Sequence, residues 1–108
     1  MLTINSKELH ELLWAEKENL ELIDVRRQEE YNEWHIPGVK LITLNELPER
    51  IDEIDARKRI IFICRSGARS AQACGFFADK WVIATNLSDG TLGFEKEYPL
   101  EIIRENSK

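Results

Sequence analysis

The stretch Ile60-Ile61-Phe62-Ile63-Cys64 is the longest uninterrupted apolar run in the chain, and it restricts the possible folds more than any other segment. Its residues are apolar at every position rather than at every second one. This pattern is typical of a strand buried on both faces, as in a parallel sheet. A run of this length is also far too short to cross a membrane. We therefore predict a buried strand from Arg59 to Cys64, followed by a turn at Ser66-Gly67.

Helical and extended patterns alternate along the rest of the chain. Asn5 followed by Glu8 is a helix-start signature, and Ile4 and Leu9 are spaced as a hydrophobic staple. The predicted helices cover residues 6–17, 28–34, 45–54, 69–81 and 91–97. The other predicted strands cover residues 20–25, 39–42 and 82–87. Such alternation predicts an α/β sheet with helices on both faces.

Length and composition predict one ordinary globular domain. The chain has 108 residues, of which 43% are hydrophobic and 32% charged, and it shows no repeat or low-complexity segment. We expect a core over about residues 4–99 and a short tail over 100–108. The net charge of −5 disfavours nucleic acid as a partner. The first residues lack the pattern of a signal peptide, so we expect a cytoplasmic protein without a membrane partner.

Two cysteines do not make a disulfide framework, so Cys64 and Cys74 are expected to be free thiols. No group of cysteines and histidines has the spacing of metal ligands, and no metal is expected. Cys74 falls on a helical stripe with Ala71, Ala78 and Trp81, which favours a core position over the role of a second reactive thiol.

The segment from Cys64 to Ser70 joins the apolar strand to a helix, and sites in α/β sheets form at the carboxyl ends of strands. Loop amides, a helix N-terminus and two guanidinium groups would favour a thiolate at Cys64. Gly67 would let the loop curl so that its amides converge. Arg65 and Arg69 could bind an oxyanion through paired hydrogen bonds. The alternative is that Cys64 is only a small buried hydrophobic residue.

The segment Cys64-Arg65-Ser66-Gly67-Ala68-Arg69-Ser70 closely resembles the active-site loop of rhodanese-family sulfurtransferases. The resemblance covers about residues 20–99 and implies a single rhodanese-like domain with a five-stranded parallel sheet and helices on both sides. Further similar segments follow in the family's order: Ile23-Asp24-Val25-Arg26, Glu29-Glu30-Tyr31, His35-Ile36-Pro37-Gly38, Asn86-Leu87 and Gly90-Thr91-Leu92-Gly93-Phe94. The chain departs from the family's pattern at Trp34, at Trp81-Val82 and at Asp89.

The resemblance also implies a thiosulfate sulfurtransferase with Cys64 as its nucleophile. Cys64 would take the outer sulfur of a donor such as thiosulfate, become a persulfide, and pass the sulfur to cyanide or to a thiol, including a thiol on a protein. No cofactor is implied, because the sulfur is carried by the protein. The residues implied to bind the donor and to stabilise the persulfide are Arg65, Ser66, Gly67, Ala68, Arg69 and Ser70.

Other polar residues near this site have simpler interpretations. Asp24 and Arg26 are expected to form a structural ion pair or to brace the loop, with a direct catalytic role left open. His35 is expected to stabilise a turn rather than to transfer protons. The tryptophans are interpreted as packing residues, with Trp34 also able to line a pocket rim. The acidic residues Glu29, Glu30 and Glu33 are expected to form a solvated helix face.

Three rival functions remain. A cysteine-dependent phosphatase or arsenate reductase needs five residues between its cysteine and arginine, whereas four separate Cys64 from Arg69. A binding module related to the family typically lacks the cysteine. A persulfide carrier inside a sulfur-relay pathway cannot be separated from a thiosulfate enzyme by sequence.

Overall fold

The computed structural model describes residues 1–80 and 82–104. Within them lie three short 3₁₀ helices, Lys17–Asn19, Leu44–Glu49 and Ile51–Glu53. The strands are β1 (Leu2–Ile4), β2 (Leu20–Asp24), β3 (Lys40–Leu41), β4 (Arg59–Ile63) and β5 (Ala84–Leu87). The α-helices are α1 (Ser6–Ala15), α2 (Gln28–Glu33), α3 (Ala68–Ala78) and α4 (Gly90–Glu97).

The five strands form one sheet in the order β1-β5-β4-β2-β3, and every pair of neighbours is parallel. This confirms the predicted fold class. The strand β4 is central: Ile61 pairs with Leu22 of β2 on one side and with Thr85 of β5 on the other. The carboxyl end of β4, where Cys64 follows, therefore lies in the middle of the sheet edge.

The sheet separates two hydrophobic clusters, and β4 contributes to both. Ile60, Phe62 and Cys64 face the first cluster, whereas Ile61 and Ile63 face the second. The first cluster packs under α3 and the 3₁₀ segments, and the second under α1 and α4. Helices covering both faces explain why β4 is apolar at every position.

The start of α1 is confirmed as predicted and has a further partner. The Glu8 amide donates to Asn5 Oδ1 and the Asn5 amide donates to Glu8 Oε1, both at 2.9 Å. Asp89 accepts from the Ser6 amide at 3.2 Å and from the Ser6 hydroxyl at 3.0 Å. A carboxylate is favourable at a helix N-terminus. Asp89, one of the departures from the family's pattern, thus joins the loop after β5 to α1.

The predicted helix at residues 45–54 is wrong. The segment instead forms the 3₁₀ helices Leu44–Glu49 and Ile51–Glu53. Pro48 lies inside the first, and because proline has no amide proton and clashes with the preceding turn, an α-helix cannot run through it. Leu47 and Ile54 still reach the first cluster, as the apolar spacing indicated.

Three other expectations about packing need correction. The strand β1 was not predicted, because only Ile4 of its three residues is buried. In α3 the buried residues are Ser70, Ala73, Cys74 and Phe77, so the expected stripe holds for Cys74 but not for Ala78, which is exposed. Trp14 is 79% exposed and is not a packing residue. Trp81 lies outside the described residues.

Residues 100–104 lie against the body of the domain, although a tail was expected there. Ile102 packs on the second cluster, and Ile103 exchanges two backbone hydrogen bonds with His35, at 2.9 and 2.8 Å. No helix in the described part of the chain is both long and apolar enough to cross a membrane.

Candidate active site

The thiol of Cys64 lies directly beyond the central strand, and the residue is only 1% exposed. The Gly67 amide donates to Cys64 Sγ at 3.0 Å, and the Ser70 hydroxyl lies 3.3 Å from the same sulfur. The loop between β4 and α3 therefore curls over the thiol, as the sequence predicted. A buried sulfur surrounded by donors can hold negative charge.

A buried polar chain continues from Ser70 to Asn86 at the end of β5. The Ser70 hydroxyl donates to Asn86 Oδ1 in a short hydrogen bond. The Asn86 side-chain amide donates to the Gly67 carbonyl at 3.2 Å, which returns the chain to the loop. Site prediction missed Asn86, although it lies in one of the segments that carry the family resemblance. In the sequence, Asn86 could have been recognised as a polar residue within a strand that is otherwise expected to be buried.

These contacts set the acidity of Cys64. Burial raises the pKa of the Cys64 thiol, whereas its hydrogen bond with the Ser70 hydroxyl and those from the amides of Ser70, Ser66 and Gly67 lower it. The hydrogen bonds outweigh burial, so the pKa lies below its usual value. Among the described groups, neither loop guanidinium donates to the sulfur. The hydrogen bonds to the sulfur come from amides and one hydroxyl, while the charges of Cys64 and Arg69 interact without a direct hydrogen bond.

The curl of the loop requires glycine at position 67. Gly67 has φ of 99°, in the left-handed region that side chains disfavour. A Cβ atom there would also lie 2.6 Å from the Ser88 carbonyl oxygen. No other residue fits without moving the loop that follows β5.

The start of α4 holds the loop from behind. The Thr91 amide donates to the Cys64 carbonyl at 2.8 Å and the Leu92 amide donates to the Arg65 carbonyl at 3.2 Å. Gly90 permits this approach, because it has φ of 63° and a Cβ atom would lie 2.2 Å from the Arg65 oxygen. Helix α4 thereby positions the backbone of the nucleophile.

The two loop arginines differ in what they contact. The Arg69 guanidinium donates to both carboxylate oxygens of Glu30, at 2.7 and 3.0 Å. The hydrogen bonds from Arg69 lower the pKa of Glu30 to about 2, so the pair is ionised at neutral pH. The expectation of a solvated Glu30 is therefore wrong, and this carboxylate occupies the Nη1–Nη2 edge of Arg69. Arg65 is exposed, with no ion-pair partner in the described part of the chain.

A cavity of about 330 Å³ lies beside Arg69 at this edge of the sheet. The cationic residues on its wall are Arg27 and Arg69. The sequence had indicated Arg26 rather than Arg27, which is exposed. The remaining wall is formed by Val25, Thr43, Leu44 and Asn45. A second cavity, of about 600 Å³, lies between α3 and the β1–β5 edge and includes Cys74, away from this chemistry.

Asp24 and Arg26 form a buried ion pair. Arg26 Nε lies 3.0 Å from both oxygens of Asp24, and its Nη2 also donates to the Trp34 carbonyl at 2.8 Å. His35 is stacked on Tyr31 at 3.9 Å, with Nδ1 3.0 Å from the Tyr31 carbonyl. These contacts connect the end of β2 to the end of α2 and have a structural character.

Both cysteines are free thiols, and their pKa values are shifted in opposite directions. Burial raises the pKa of Cys74 to about 11, whereas the pKa of Cys64 is lowered. The described residues contain no group of three or more His, Cys, Asp or Glu side chains that could hold a metal ion. The candidate site is therefore a single acidified thiol in a cradle of amides.

Comparisons with known proteins agree with this geometry. A family model described as "Rhodanese-like domain" matches residues 5–100. "Putative sulfurtransferase YtwF" of Bacillus subtilis is 36% identical over 87% of this chain and 90% of its own length. "Putative sulfur carrier protein YrkF" of the same organism is 46% identical over 52% of this chain and 30% of its own length. The crystal structure of a rhodanese-like domain protein from Staphylococcus aureus has a TM-score of 0.80 at 26% identity, covering 87% of this chain and 91% of that one.

Proposed function

Because the chain belongs to the rhodanese-like domain family, we propose that it is a sulfurtransferase in which Cys64 carries a sulfane sulfur as a persulfide. The observation that carries the proposal is the donor set around Cys64 Sγ, namely the Gly67 amide at 3.0 Å and the Ser70 hydroxyl at 3.3 Å. These groups favour the thiolate, which is the attacking species in sulfur transfer.

The reaction needs no group beyond donor, thiol and acceptor. The Cys64 thiolate attacks the outer sulfur of thiosulfate, a new S–S bond forms, and sulfite leaves with the electron pair of the broken S–S bond. Cyanide then attacks the outer sulfur of the persulfide, and the Cys64 thiolate is released with thiocyanate as product. Charge balances in both steps, and no net oxidation takes place.

The hydrogen-bond donors around Cys64 Sγ also suit the persulfide intermediate. A persulfide places a second sulfur beyond Sγ, and its negative charge also needs hydrogen-bond donors. The amides of Ser66, Gly67 and Ser70 converge on Sγ, and the outer sulfur would lie one S–S bond away from them. Preorganised backbone donors stabilise such charge without reorganising during the reaction.

A second candidate is a persulfide carrier that takes sulfur from another persulfide rather than from thiosulfate. It is favoured by the Arg69–Glu30 ion pair, which offsets one positive charge that could otherwise attract a dianion. The name of the relative YrkF, a sulfur carrier, points the same way.

Intact-protein mass spectrometry tests the proposal. Exposure to thiosulfate or to glutathione persulfide should add the mass of one sulfur atom, and cyanide should remove it as thiocyanate. The Cys64→Ala variant should take up none, whereas Cys74→Ala is the matched control and should behave as wild type. Sulfur uptake by a folded Cys64→Ala protein would exclude Cys64 as the carrier. Comparing uptake rates for the two donors separates the two candidates.

A further inference from the structure

We propose that Glu30 determines donor specificity: by occupying the Arg69 guanidinium, it disfavours dianionic thiosulfate relative to singly charged persulfide donors. This inference rests on the proposed function and extends it to the donor class. A persulfide donor reacts by the same displacement. The Cys64 thiolate attacks the outer sulfur, a new S–S bond forms, and the donor thiolate leaves with the electron pair of the old one.

The geometry of the pair is that of a guanidinium already bound to an anion. Arg69 Nη1 and Nη2 lie 2.7 and 3.0 Å from the two Glu30 oxygens, which is the fork arrangement that Arg uses to bind oxyanions. A sulfonate group that approached the Nη1–Nη2 edge of the guanidinium would have to displace Glu30. Glu30 is thus an internal competitor for the anionic end of thiosulfate.

Glu30 is held in this position by a second contact. Its Oε1 also accepts a hydrogen bond from the Arg27 amide, at 2.9 Å, at the start of α2. The side chain is 20% exposed and that of Arg69, which lines the cavity, is 30% exposed, so the pair lies near the protein surface rather than in the core. The start of α2 therefore fixes the carboxylate beside Arg69, which lines the cavity.

The Arg69–Glu30 pair also reduces the net positive charge around the loop. Of the arginines around the loop and its cavity, Arg69 is neutralised by Glu30, while Arg27 and Arg65 are exposed. A dianion loses about twice as much attraction as a monoanion when one positive charge is cancelled, because Coulomb energy scales with the product of the charges. A persulfide donor also presents no sulfonate oxygens to a guanidinium fork. Both effects penalise thiosulfate more.

The test compares Glu30→Gln with Glu29→Gln. Glu29 is the matched control, because it is exposed and lies one residue away from Glu30. Its replacement by glutamine removes the same charge from a side chain that does not contact Arg69. Steady-state kcat and KM are measured with thiosulfate and with 2-hydroxyethyl persulfide, a donor with a single negative charge and no carboxylate, using cyanide as acceptor, across a salt series. Thermal melts establish that each variant is folded.

We expect Glu30→Gln to lower KM for thiosulfate about ten-fold, the scale of one charge-assisted contact, and to steepen its salt dependence. KM for the persulfide should change by less than about three-fold, in line with its smaller charge. Glu29→Gln should match wild type for both donors. The double variant Glu30→Gln with Arg69→Gln should not show the lower KM for thiosulfate, because the Arg69 cation that Glu30→Gln releases is then absent.

An unchanged or increased KM for thiosulfate in folded Glu30→Gln would overturn the inference and assign the pair a structural role. An equal shift for both donors, or a gain that survives in the double variant, would overturn it as well. The proposed function fails separately, when neither donor places sulfur on Cys64 of the wild-type protein.

Discussion

Replacing Ser70 by alanine isolates the single hydroxyl that lies against the nucleophile. The hydroxyl has one proton and two neighbours, Cys64 Sγ at 3.3 Å and Asn86 Oδ1. When Cys64 is ionised, that proton is available to the sulfur. Ser70→Ala removes it and leaves the loop amides in place, so the pKa of the Cys64 thiol should rise.

The magnitude follows from the contacts. A hydrogen bond to a charged group contributes about 1.5–3 kcal/mol, and we take the lower end because sulfur is a weak acceptor and Asn86 competes for the proton. About 1.5 kcal/mol corresponds to a roughly ten-fold smaller thiolate population below the pKa. The variant also leaves the buried Asn86 oxygen without its donor, which should reduce the free energy of unfolding by about 1–3 kcal/mol.

The assay is alkylation of Cys64 by iodoacetamide as a function of pH, followed by peptide mass spectrometry, with urea denaturation for stability. The reaction should be slower in Ser70→Ala, and its midpoint should shift to higher pH. Ser66→Ala is the matched control, because its side chain is exposed and its backbone amide remains. An unchanged pH profile in folded Ser70→Ala would refute the reasoning and leave the amides as the only groups that acidify Cys64.

Two further predictions concern the other thiol and the turn before α4. Because the pKa of Cys74 is about 11, iodoacetamide at neutral pH should modify Cys64 first, and Cys74→Ser should keep the wild-type rate of sulfur transfer; a collapse in a folded variant would make Cys74 part of the mechanism. Gly90→Ala places a Cβ atom 2.2 Å from the Arg65 carbonyl oxygen at positive φ, and it should lower the free energy of unfolding by about 1–3 kcal/mol. The control Gly75→Ala, whose Cβ atom would have no atom within 4 Å, should raise the free energy of unfolding by about 0.5–1 kcal/mol. Equal effects of the two variants in urea denaturation would contradict the clash assigned to Gly90.

Local patterns were sufficient for four of the five strands of the sheet and for the position of Cys64, whereas the number five was implied only by the family resemblance. The apolar run of β4 identified a strand covered on both faces, and the Cys64–Ser70 loop followed from the change to helical spacing. These features depend on neighbours in sequence, which is why one chain without relatives could reveal them. The capping box of α1 belongs to the same class.

Contacts between residues far apart in the sequence could not be predicted from local patterns. Glu30 and Arg69 are 39 residues apart, and no spacing rule indicates that α2 delivers a carboxylate to the loop. Asn86 reaches Ser70 only because β5 lies beside β4 in the sheet. Strand order determines both contacts, and a single sequence does not specify it.

The central position of β4 has a consequence for how the thiol is exposed over time. Edge strands can fray individually, but β4 has a paired strand on each side and a cluster on each face, so its amides exchange with solvent only through large, cooperative openings. Cys64 continues that strand, and its carbonyl is held by Thr91. We therefore expect reagents too large to reach Sγ through the loop to modify Cys64 only at the rate of such openings.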